Sequence, residues 1–291
     1  MNLIVGATGI LGSEICRLLA ENRQPQRALV RRTSNPDKVA QLKALEAEVI
    51  IGDLKDRRSL DAACRGVTAV ISTASSPLSR QEGDSIESVD REGQVNLVEA
   101  ASAASVKHFV LISFPNVDID FPLQRAKRAV EDRLQRSGMS YTILQPTFFT
   151  EVWLSPALGF DPKNTKAQIY GSGSHKISWI SFHDVAKFAV AALDPRLAPN
   201  AIIKLGGPEA LSPLEAVQLA EQVVGKPIEV QHVPEEALRA QHSGATDSLQ
   251  QSFAGLMLYY AGGDVIEMAE TLRRFPIQPL KSVRAHFQSI V

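Results

Sequence analysis

The chain opens on three glycines spaced to hold a phosphate: Gly6, Gly9 and Gly12, in the run Val5-Gly6-Ala7-Thr8-Gly9-Ile10-Leu11-Gly12. The residues before them, Asn2 to Val5, are mostly apolar, as in a strand buried on both faces. Leu11, Ile15, Leu18 and Leu19 then recur at helical spacing. Strand, glycine turn and helix in that order form a site for a dinucleotide's pyrophosphate. Gly6 turns the chain sharply off the strand, Gly9 leaves room for the pyrophosphate against the backbone, and Gly12 lets the helix pack close. The N–H groups of Gly9, Ile10 and Leu11 would face the phosphates, helped by the helix dipole. A tight turn with no ligand uses the same glycines, so the surrounding strand–helix alternation has to carry the distinction.

A second chemistry stands at the end of the next strand. Gln26 to Arg31 reads as that strand, and it ends in Arg31-Arg32. Dinucleotide folds often place an acidic residue here, about twenty residues past the glycines, to bind the ribose hydroxyls of NAD. An arginine there can instead pair with the 2′-phosphate of NADP, in a charge-assisted contact. The alternative is a solvated basic pair. Asp53, in Gly52-Asp53-Leu54 after the third strand, could accept from the adenine amine or close an Asx turn. The fourth strand exits through Thr73-Ala74-Ser75-Ser76-Pro77, small and polar, and Ser113 ends the fifth. Strand exits at the carboxyl edge are where open α/β sheets bind ligands. Phe148 and Phe149 leave the sixth strand, one suited to wall a nicotinamide and the other to fill core. Arg125, Arg128, Arg133 and Arg136 read as a solvated helix face.

The elements that must position these residues alternate. Strands are expected at 2–5, 26–31, 48–51, 68–73, 107–113 and 141–144, with helices between them, including one long helix from Ser85 to Ala104 and a basic one from Leu123 to Ser137. This predicts an α/β fold, a Rossmann-type doubly wound parallel sheet with a smaller C-terminal substrate-binding region. After residue 150 the alternation breaks. Residues 167–170 and 176–180 flank Gly171-Ser172-Gly173-Ser174-His175 as an expected hairpin. A helix near 184–193 and a strand at 201–205 could return to the main sheet. Ser212-Pro213-Leu214-Glu215 is a capping box opening another helix. The dinucleotide-binding domain is therefore placed at 1–150, with 181–206 returning to it, and the cap region at 151–180 and 207–291.

Composition narrows the function classes. The 291 residues are 44% hydrophobic and 22% charged, with a net charge of −1. That field does not favour nucleic acid or an anionic membrane surface. The two cysteines, Cys16 and Cys64, belong to no metal or redox motif, and a reduced, cytoplasmic chain is expected. The fold starts at residue 2, so no leader is expected, and no apolar run is long enough to span a bilayer. No metal site is expected.

Taken together, these pieces resemble the atypical short-chain dehydrogenases of the NmrA-like group, which includes isoflavone-reductase-like enzymes. The matching runs are the glycine turn, Leu29-Val30-Arg31-Arg32, Gly52-Asp53-Leu54, Lys127, Ser137 to Pro146, Asp184-Val185-Ala186 and Gly206 to Ser212. The resemblance implies a strand order 3-2-1-4-5-6-7, NADP(H) along the carboxyl edge, and a substrate cleft between that edge and the C-terminal region. It makes Lys127 the catalytic candidate, able to hold the nicotinamide ribose and to donate a proton. It also implies a cofactor set of Gly6, Thr8, Gly9, Ile10, Leu11, Gly12, Arg31, Arg32, Asp53, Leu54, Thr73, Ala74, Ser75, Ser113, Lys127, Pro146, Thr147 and Phe148. One departure matters: Leu123 stands four residues before Lys127, where short-chain dehydrogenases carry their tyrosine. Two functions follow. One is an NADPH-dependent reductase of a small carbonyl, enone or quinone-like substrate. The other is a non-catalytic NADP(H)-binding sensor, regulator or assembly factor with a protein partner. A monomer or homodimer is expected in either case.

Overall fold

The computed structural model describes residues 1–77 and 81–290. Ten strands are named among them: β1 (Asn2–Val5), β2 (Gln26–Val30), β3 (Glu48–Ile51), β4 (Ala69–Ser72), β5 (His108–Ile112), β6 (Ser140–Pro146), β7 (Phe160–Asp161), β8 (Lys166–Tyr170), β9 (Ala201–Leu205) and β10 (Glu229–Val233). The helices are α1 (Ile10–Glu21), α2 (Pro36–Ala44), α3 (Arg57–Cys64), α4 (Gln94–Ala103), α5 (Pro122–Gln135), α6 (Thr150–Trp153), α7 (Phe182–Ala191), α8 (Pro213–Val224), α9 (Glu235–Gly244), α10 (Ser248–Gly262), α11 (Ala269–Arg274) and α12 (Val283–Ile290). Among the described residues, no helix is long and apolar enough to cross a membrane.

The main sheet has seven strands in the order β3-β2-β1-β4-β5-β6-β9, and the pairs from β3 through to β6 are parallel. This is the doubly wound Rossmann arrangement that the alternation predicts. The central strands are mostly apolar because helices cover both faces: β4 and β5 are buried at every position, including their polar ends Ser72 and His108. The order reverses beside β1, which puts the exits of β1 and β4 at the switch point where such sheets bind ligands.

The chain divides into two compact units. The first comprises Met1–Phe114, Pro122–Gln145 and Val185–Ile203. Its core joins Leu3, Val5, Val70, Phe109, Leu111 and Ile143 of the sheet to Leu60, Leu97, Val130 and Leu134 of the helices. Cys16 and Cys64 are both buried and free, and burial pushes their thiols up to about 12 and about 11. They are packing residues, inert at neutral pH.

The second unit comprises Pro115–Phe121, Pro146–Asp184 and Lys204–Val291. It holds a three-stranded sheet, β10-β8-β7, and an aromatic core of Phe148, Trp153, Trp179, Tyr259 and Tyr260. The capping box at α8 forms as read: the Ser212 hydroxyl accepts from the Glu215 amide at 3.1 Å, and the Glu215 carboxylate accepts from the Ser212 amide at 2.7 Å.

Two elements depart from the sequence reading. The hairpin at 167–180 does not form. β8 pairs in parallel with β10, a strand some sixty residues further on. The 176–180 segment instead makes isolated bridges, Ile177 to Leu211 and to Asp264. Gly171 and Gly173 have φ of +75° and +72°, yet the Gly171 amide donates to Val233 and the Gly173 carbonyl accepts from Leu214. Distant partners took the bonds a hairpin would have used. The long helix from Ser85 is also not uniform. Ile86–Gly93 is a π-helix that passes into α4, started by a Ser85–Ser88 capping box. A Cβ at Gly93 would lie 2.8 Å from Leu54 Cβ and 2.9 Å from the Ser88 carbonyl, so the wider turn fits tightly and only with glycine there. π-turns inside helices are frequent at functional sites.

Candidate functional site

The glycine turn has the geometry its residues dictate. Gly6 sits at φ +85°, and a Cβ there would lie 2.5 Å from the Thr73 hydroxyl. A Cβ at Gly12 would lie 2.1 Å from the Gly6 carbonyl, so α1 packs onto the turn with no room for a side chain. Gly9 differs. Its Cβ would meet only the Gly6 carbonyl, at 3.2 Å, and both Gly9 and Ile10 are exposed. No side chain caps α1 at Gly9, and its first turn holds no acid. An open, uncapped, positively polarised helix end suits an anion. The Thr8 carbonyl accepts from Lys38 Nζ at 3.0 Å, bringing a cation to the same turn. Ile10 is 47% exposed, while Leu11 is buried in the helix interface.

Past the tip of β2, Arg31 is not a solvated cation. Its Nη1 lies 2.6 Å from Asp84 Oδ2, and Lys55 Nζ lies 2.6 Å from Asp84 Oδ1. The Asp84 side chain is only 1% exposed. Burial alone would raise this carboxyl. Lys55, the Gln81 amide and Arg31 outweigh it and hold the group below the usual carboxylate range. Arg32 is exposed beside it. Asp53 forms the Asx turn, accepting from the Lys55 amide at 2.8 Å, and Leu54 is a core residue of the first unit.

At the β4 exit, the Thr73 hydroxyl donates to the Val5 carbonyl at 3.1 Å and the Ala74 carbonyl accepts from Gln94 Nε2 at 2.8 Å. Ser75 and Ser76 converge on one buried carboxylate. Ser75 Oγ donates to Asp90 Oδ1 at 2.5 Å, and Ser76 donates to Oδ2 from its hydroxyl at 2.5 Å and its amide at 3.1 Å. Lys127 Nζ stands 4.0 Å from Asp90 Oδ1. The lysine side chain is 7% exposed. Burial pushes its pKa down, against the opposing pull of Asp90 and Glu131. It is therefore not part of a solvated basic face. Leu123, one turn earlier on α5, is buried.

At the β5 exit, Ser113 accepts from Arg128 Nη2 at 3.0 Å, and the same group donates to the Phe114 carbonyl at 2.6 Å. Arg128 also pairs with Glu131 at 2.9 Å and lies over the Phe114 ring at 5.6 Å. This corrects the reading of Arg128 as solvent-facing; Arg125 and Arg136 are exposed. Helical spacing turns Gln124, Lys127, Glu131 and Leu134 inward, and Arg128 falls at the boundary of that stripe. In the second unit, Thr147 donates to the Ser178 carbonyl at 2.5 Å, Pro146 is buried, and Phe148 packs against Tyr259 and Trp153. Phe149 is half-buried.

In the first unit the fold thus brings the glycine turn to Thr73, Arg31 to Lys55 and Asp84, and Lys127 to Asp90 and Ser75. Sequence reasoning missed Asp84, Asp90 and Glu131. Asp90 left a signal: it is an acid beside the apolar positions Ile86, Val89 and Leu97, one helical turn after Ile86.

A family model described as the NmrA-like family matches residues 2–273. An NAD(P)H azoreductase of Xenophilus azovorans is 34% identical over 230 residues, covering 78% of this chain and 75% of its own. The photosystem II assembly factor Ycf39 of Trieres chinensis is 33% identical over 238 residues, 80% of this chain and 72% of its own. The crystal structure of the NADPH-dependent quinone oxidoreductase QOR2 of Escherichia coli, in complex with NADPH, matches with a TM-score of 0.80 at 23% identity, covering 100% and 99% of the two chains. That last likeness is one of fold.

Proposed function

Because the chain belongs to the NmrA-like family, we propose that it is an NADP(H)-dependent reductase of a small carbonyl, enone or quinone-like substrate. The observation that carries the reading is Lys127: a lysine buried on the inner face of α5, next to the small polar exit of β4. The residues of the first unit fit the cofactor. The uncapped end of α1 and the exposed backbone at Gly9 suit a pyrophosphate, and Arg31 with Lys55 offers cationic groups for a 2′-phosphate. Bound NADPH would supply a hydride. Lys127 would hold the ribose hydroxyls, and its ammonium would give a proton to the substrate oxygen, directly or through one water. Leu123 offers no proton, so the proton would come from Lys127, from water or from a residue of the C-terminal region, and Lys127 is the candidate tested below. The relative from Xenophilus azovorans, an NAD(P)H azoreductase, supports the reductase reading.

The test is steady-state NADPH oxidation with a panel of quinones, enones and aldehydes, run on the parent and on Lys127→Met. Turnover by the parent and a loss of about 10²–10⁴-fold in the variant are expected. Normal turnover in Lys127→Met removes the lysine from the chemistry. A second reading, a non-catalytic NADP(H)-binding assembly factor, draws on Leu123 and on the identity to Ycf39. Tight NADPH binding with no oxidation of any acceptor, and co-purification with a protein partner, would favour it.

A further inference from the structure

We propose that Asp90 is the positioning residue for Lys127, a buried carboxylate that ties the lysine head to the exit of β4 through Ser75 and Ser76. This rests on the reading of Lys127 given above. The carboxylate has no exposed side-chain surface, and it accepts from both serine hydroxyls and from the Ser76 amide. A buried charge with this many donors is a fixed point, not a surface accident. The π-helix aims it inward: Ile86, Val89, Asp90 and Gly93 are the buried residues of that turn.

Lys127 needs such a partner. An ammonium removed from water loses its proton more readily, and an opposite charge close by counters this. Three charged groups act on it: Asp90 from the π-helix, and Glu131 and Arg128 from its own helix, the last of these repelling. Glu131 is already engaged, accepting from Arg128 at 2.9 Å and from Gln145 at 3.0 Å. Among the described residues, Asp90 accepts hydrogen bonds from the neutral Ser75 and Ser76 donors, and Lys127 is the cation that stands beside it, at 4.0 Å. Asp90 thus does two things. It keeps Lys127 protonated in a dry site, and it fixes the lysine relative to Ser75, which lies in the loop expected to meet the cofactor.

The test reads Lys127 itself and needs neither cofactor nor substrate. The full chain is labelled with lysine carrying ¹³C at the ε-carbon, and the Lys127 signal is identified by its disappearance in Lys127→Arg. Its pH titration is followed in the parent, in Asp90→Asn, which keeps shape and removes charge, and in Asp90→Glu, which keeps charge. The Lys127 midpoint should fall by about 1–3 pH units in Asp90→Asn, the effect of losing an opposite charge at this range. It should stay near the parent value in Asp90→Glu. Asp90→Ser gives a second neutral variant should the asparagine fail to fold. A Lys127 midpoint unchanged in the neutral variants overturns the proposal. Failure of the reductase reading would appear elsewhere, as normal NADPH turnover in Lys127→Met, and leaves this titration intact.

Discussion

Arg31 shows how a buried carboxylate can hold one guanidinium in place. Asp84 fixes one of its nitrogens at 2.6 Å, and the same carboxylate holds Lys55. Under the proposed reading, a 2′-phosphate would meet two cations already placed, with part of the ordering entropy removed beforehand. Charge-assisted hydrogen bonds of this kind contribute about 1.5–3 kcal/mol. Arg31→Ala should therefore weaken NADP by about tenfold or more and leave NAD nearly unchanged, as read by calorimetric titration of both cofactors. An equal loss for the two would mean that Arg31 acts through the fold, not through the phosphate. Asp84→Asn should weaken NADP less than Arg31→Ala does, because it loosens the arginine without removing it. At this scale the sequence was informative where a residue type was unusual for its place. Arg31 at a strand tip and the glycine spacing were legible. Asp84 and Asp90 were not, because their partners lie far away in sequence: Arg31 precedes Asp84 by 53 positions, and Ser75 precedes Asp90 by 15.

Among the elements, the turn between β1 and α1 separates two roles that the spacing alone leaves mixed. Gly12 is a packing glycine, since any Cβ would strike the Gly6 carbonyl. Gly9 is the exposed one, with the Gly6 carbonyl at 3.2 Å as the single close neighbour of a Cβ there. Gly12→Ala should push α1 off the sheet and destabilise the first unit by about 1–3 kcal/mol or more, as overpacking does. That predicts a lower melting temperature whether or not a cofactor is present. Gly9→Val should melt close to the parent and yet lose dinucleotide binding, measured by NADPH fluorescence titration. If both variants bound NADPH normally, the turn would be a structural device only. The strands of the main sheet and the α8 cap were also legible, because they rest on apolar runs and local side-chain bonds, whereas the strand order came from the family resemblance. The 167–180 segment was misread for the opposite reason. Its glycines favour a hairpin locally, but β10 supplies a longer parallel partner for β8. The π-turn left no local mark either; it is set by the close fit of Gly93 on Leu54.

For the whole molecule, pH should act through one buried histidine in each compact unit. His108 is 3% exposed in the first and His286 is 4% exposed in the second. Burial pushes both imidazoles below their ordinary value of 6.5; for His108 a backbone bond at Ala192 opposes this, and for His286 Glu151 opposes it while Lys281 adds to it. Above pH 6.5 neither folded nor unfolded chain protonates these rings, and they contribute no pH dependence. As pH falls below 6.5, the unfolded chain takes up protons that the folded rings refuse, so stability is lost until the lower folded values are reached. Among the shifted carboxyls, the depressed groups Asp84 and Glu151 titrate further down, while Asp264, pushed up by burial, takes up its proton earlier in the folded chain and offsets part of the loss. The melting temperature should therefore drop between pH 7.5 and 5.5, by ~2–4 °C for each kcal/mol lost in a chain of this size. His286→Leu should shrink that drop without abolishing it, because His108 remains. A melting temperature that is flat across this window in the parent, or a drop of equal size in His286→Leu, would show that His286 does not carry its share.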